Sequence, residues 1–99
     1  NPLTHETVSV ATDARAADAQ LAVDAAARAF PEWSALGPSA RRQHLTNAAR
    51  VLRERGDEFT RRMSAETGAT PGWGHFNVQL AALLLDEAAA LTEPRHYPF

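Results

Sequence analysis

At 99 residues the chain is sized for one domain and is too short for a dinucleotide-binding domain plus a catalytic one. It is 44% hydrophobic and 22% charged with a net charge of −2, which reads as globular and gives no overall field to recruit nucleic acid or an anionic membrane. All ten basic residues are Arg, and the absence of Cys excludes a disulfide scaffold, a thiolate metal site and a cysteine nucleophile within these residues, while fitting a cytoplasmic setting.

Residues 1–13 carry the only strand-like pattern. Val8 and Val10 alternate with Thr7 and Ser9, enough for one short strand, which would need a partner edge the sequence does not supply. Asn1-Pro2 reads as a turn or an extended start. With no Met and no basic-then-apolar leader, the expectation is a visible or processed end.

From Ala16 to Phe30 the spacing of Ala19, Val23, Ala26 and Phe30 predicts a helix with one apolar face, and Asp18 suits its N-terminal dipole. Pro31 should stop it, leaving Phe30-Pro31-Glu32-Trp33 as a bulky corner. A second helix begins at Gly37-Pro38-Ser39, with Leu45, Ala48, Ala49 and Leu52 as its core stripe and Gly56 as a left-handed stop. Asp57 can cap a third helix running to about Thr67, with Phe59 and Met63 inward and Gly68 at its end. The near absence of a joint between these two predicts an antiparallel hairpin.

Thr70-Pro71 opens a fourth helix, with Thr70 as N-cap. Phe76, Leu80, Leu83, Leu84 and Leu91 form one stripe, and Ala81, Ala82, Leu85, Ala88 and Ala89 make most of the remainder apolar. A helix apolar nearly all round belongs inside a larger body or against a partner. Its unbroken apolar runs, Ala81 to Leu85 and Ala88 to Leu91, are too short to span a membrane. The two prolines of residues 94–99 predict a non-helical end. The expected fold is therefore all-α: about four helices, an antiparallel hairpin among them, a long apolar C-terminal helix and at most one short strand, in a single unit over residues 1–99.

Chemistry-bearing patterns are sparse. His5, His44, His75 and His96 lie far apart and form no close ligand pair, so no metal site is assigned. There is no GxGxxG, P-loop or GxSxG. Glu66 has no visible partner for acid–base work, and no catalytic residue is assigned. The Arg-rich stretch from Arg41 to Arg62 reads as a solvated face with intrahelical ion pairs; Phe59, its one aromatic, is wanted inside, which argues against nucleic acid. Trp73, Phe76 and Asn77 cluster at the head of the apolar helix, as a core anchor or as the wall of a pocket.

Several motifs in order then carry a resemblance. Residues 22–34 (AVDAAARAFPEWS), Gly37 to Arg42 (GPSARR) with Leu45, Leu52 to Arg55 (LRER), Asp57-Glu58 and Glu66-Thr67-Gly68 resemble the N-terminal part of the aldehyde dehydrogenase superfamily. Asn1 to Thr4 looks like that family's NPxTGE opening, with His5 in place of Gly. Gly68 to Val78 (GATPGWGHFNV) and Asp86-Glu87-Ala88-Ala89 resemble its aromatic-aldehyde group, of the benzaldehyde, salicylaldehyde and vanillin type, with His75 where a small residue is usual. The resemblance implies that Trp73, Phe76, Asn77 and Leu80 line the tunnel that admits the aldehyde. It also implies a full-length enzyme in which a cysteine thiolate attacks the aldehyde, hydride passes to NAD(P) and a glutamate-activated water releases the acid. None of that machinery lies in these residues, so the chain is expected to be an inert N-terminal fragment or truncated form. Its implied partner is the rest of the dehydrogenase, or a second copy meeting it through the apolar helix 71–92. The alternative is a stand-alone helical self-association module of the same descent.

Overall fold

A computed structural model describes residues 1–92, so the expected non-helical end over 94–99 lies outside the described residues. Four helices follow one another: α1 (Ala16–Ala35), α2 (Pro38–Glu54), α3 (Gly56–Thr67) and α4 (Pro71–Ala90). No strand occurs among the described residues. Val8 and Val10 stay exposed, as an unpaired extended segment must.

The chain begins with a turn. The Asn1 amine donates to the Glu6 carbonyl at 2.9 Å, and Asn1 Oδ1 accepts from the Leu3 N–H at 2.8 Å. The turn requires His5 to adopt φ 60°, the left-handed region where Gly is at ease. That is the physical sense of a Gly at this place in the opening motif. Pro2 and Leu3 lie against Gly68, the left-handed C-cap of α3, so the turn seats on the α3–α4 joint.

α1 starts where the Arg15 N–H donates to Asp18 Oδ2 at 2.9 Å. Contrary to expectation it runs through Pro31 to Ala35, and the corner falls at Leu36-Gly37 instead. Proline's φ is already helical, and the bond it forfeits would have used the carbonyl of Ala27. Every residue there is exposed, so water can take that carbonyl. The face predicted from Ala19, Val23, Ala26 and Phe30 is present but uncovered, and no residue of α1 is buried. Its main tie to the other helices is the tilted ring contact of Trp33 with His44, centroids 5.8 Å apart.

The hairpin forms between different elements from those predicted. α2 and α3 barely touch; α4 instead lies along both. Arg53 pairs with Asp86, Gly56 sits against Val78, and Thr60 faces Gly74, so α4 runs antiparallel to the α2–α3 pair. Gly56 is not a left-handed stop but the first residue of α3, buried against Val78. Asp57 lies in the first turn of α3, whose N-cap is Arg55. Ala49 is buried, Leu45 and Leu52 are half-buried, and Thr60 is buried in place of Phe59, which Arg55 covers at 5.2 Å from the ring centroid.

The larger correction concerns α4. Its buried residues are Gly74, Val78, Ala82 and Ala89, spaced i, i+4, i+8 and i+15 along one narrow face of small side chains. The stripe of Phe76, Leu80, Leu83, Leu84 and Leu91 points away, each residue between 40% and 65% exposed. Small residues won the interface because they let the helix axes approach; large ones would hold them apart.

Candidate functional site

The four tunnel candidates divide between two sides of α4. The Thr70 hydroxyl accepts from the Trp73 N–H at 3.3 Å, and Pro71 takes the first turn, which fixes where the helix begins. Trp73 then stacks on Phe76 with centroids 5.4 Å apart and an interplanar angle of 23°. Both rings are more than half exposed, so this offset pair is a platform and not a core anchor.

Phe76 and Leu80 continue into a hollow of about 320 Å³ between α2 and α4, completed by Arg53, Gln79 and Leu83. Asn77 looks the other way. It lines a cleft of about 570 Å³ between α3 and α4, together with Leu52, Phe59, Met63, Val78 and Ala81 and the polar Arg62, Glu66 and Thr67. Asn77 Nδ2 donates to the Trp73 carbonyl at 2.8 Å, tying the amide to its own helix. Trp73, Phe76 and Leu80 are thus brought together, with Asn77 at their flank.

His75 lies off this platform. It borders a polar hollow on the α3 side with Asp57, Thr60, Arg61, Ser64 and Pro71. Its bulk therefore leaves the Trp73–Phe76 surface unchanged. The Thr60 and Ser64 hydroxyls are buried there without a hydrogen-bond partner.

Several arginines are held in ion pairs: Arg50 with Glu54 at 2.8 Å, Arg62 with Glu58 at 3.1 Å, and Arg53 with Asp86 at 2.6 Å. Arg55 donates to Glu58 through Nε and Nη2, each at 2.9 Å, and these bonds hold the Glu58 carboxyl below its ordinary value. Among the described residues no cluster of three potential metal ligands occurs, and no helix is long and apolar enough to cross a membrane. Sequence reasoning put Arg53 on a solvated face with intrahelical ion pairs, whereas it pairs with Asp86 on α4, and it missed the inward face of α4. The signal for that face was the small-residue spacing Gly74, Val78, Ala82, masked by the bulkier leucines.

The aldehyde dehydrogenase family pattern matches residues 1–97. Vanillin dehydrogenase of Pseudomonas sp. (strain HR199 / DSM 7063) is 54% identical over 92 residues, covering 93% of this chain and 19% of that protein. Salicylaldehyde dehydrogenase of Pseudomonas sp. (strain C18) is 37% identical over 91 residues, with 92% and 19% covered. Lactaldehyde dehydrogenase of Escherichia coli (strain K12) is 35% identical over 89 residues, with 90% and 19% covered. The chain spans about a fifth of the length of the curated relatives it matches. With the family pattern matched over residues 1–97, nearly the whole sequence, the chain belongs to the aldehyde dehydrogenase family.

Proposed function

We propose that this chain is the N-terminal helical portion of an NAD(P)-dependent enzyme that oxidises aromatic aldehydes to acids, and that Trp73, Phe76 and Leu80 form one wall of the passage admitting the aldehyde, with Asn77 at its flank. The observation that carries this reading is the outward half of α4, where two stacked rings and four leucines lie between 40% and 65% exposed. So continuous an apolar surface belongs against another body. The remaining four-fifths of the enzyme is the covering body in this reading, favoured over a second copy by the family match over residues 1–97. Identities of 54% and 37% to the vanillin and salicylaldehyde enzymes support an aromatic substrate, which a Trp–Phe platform suits by offset or edge-to-face contact.

The chain holds no Cys, so the nucleophile comes from other segments, and these residues alone are inert. NAD(P) serves as hydride acceptor in this family. In this reading its binding falls to the segments that complete the enzyme.

The test uses a chimera in which residues 1–92 replace the matching segment of the Pseudomonas vanillin dehydrogenase. Trp73→Ala should lower kcat/KM for benzaldehydes about tenfold, near 1.4 kcal/mol, and for short aliphatic aldehydes less than about twofold. Equal losses for both classes would reject the wall.

A further inference from the structure

We draw no further inference here: the strongest candidate, the cleft of about 570 Å³ between α3 and α4 with its apolar lining of Leu52, Phe59, Met63, Val78 and Ala81, carries none because nothing in the structure shows what covers it.

Discussion

Two glycines at the helix interface behave differently because their neighbours do. A Cβ on Gly74 would come within 2.8 Å of Thr60 Cγ2 and 3.3 Å of Thr60 Cα, and the second contact is backbone that cannot step aside. A Cβ on Gly56 would meet Val78 Cγ1 at 3.4 Å, an ordinary contact. Alanine gains up to about 1 kcal/mol of helix propensity over glycine at an interior position, whereas overpacking costs about 1–3 kcal/mol. Gly74→Ala should therefore destabilise by about 1–2 kcal/mol, and Gly56→Ala should be neutral or slightly stabilising, as measured by urea unfolding. The reverse order would show that α4 does not seat on α3 through Gly74. Glu58 supplies a pH test. Its carboxyl is held low by the hydrogen bonds from Arg55, so its contribution to stability is complete above the ordinary carboxylate range and fades as pH falls through its lowered value. Acidification below about pH 4 should lower the melting temperature of the wild-type chain more than that of Glu58→Gln.

Among the elements, α1 and α4 mark the two ends of what neighbours can do for a helix. α1 has no buried residue and leans on the other helices mainly through Trp33, so its amides should lose hydrogen-exchange protection well before those of α3 and α4. Equal protection in all four helices would contradict the detached arrangement. Helix positions were legible in the sequence because their markers are local: Thr70-Pro71 opens α4 and Gly68 closes α3, both as read from the residues. Pro31 misled because a proline rule weighs the ring against a helix interior, whereas the carbonyl it orphans lies on an exposed helix. Pairing was not legible. A one-residue joint looks the same in sequence whether the chain folds back or continues, and the partner that decides is Gly74, eighteen residues beyond Gly56. The direction of α4 was misread for a related reason. Hydrophobicity ranks Leu above Gly and Ala, while a close helix contact ranks them the other way. Trp73, Phe76, Asn77 and Leu80 were named as candidates by motif, and the reach of Arg53 across to Asp86 was not legible because it depends on that contact.

At the scale of the molecule, the chain has a radius of gyration of 18.1 Å, against about 13 Å for a compact domain of this length. Both the excess extent and the apolar surface fit the proposed reading, in which the rest of the enzyme completes the shape by contact. Leu84, 59% exposed on the outward stripe, separates folding from assembly. In the isolated chain Leu84→Glu should leave helix content by circular dichroism unchanged and improve solubility. In the chimera the same substitution should lower the thermal midpoint and the yield of assembled enzyme. An assembled chimera indifferent to Leu84→Glu would mean that this stripe stays in water.

One helix carries two separate inheritances. The positions by which α4 grips its neighbours, Gly74, Val78, Ala82 and Ala89, share no member with Trp73, Phe76, Leu80 and Leu84, which look outward. Selection, or a protein engineer, can thus redraw the outward side while the hinge pins stay in their sockets.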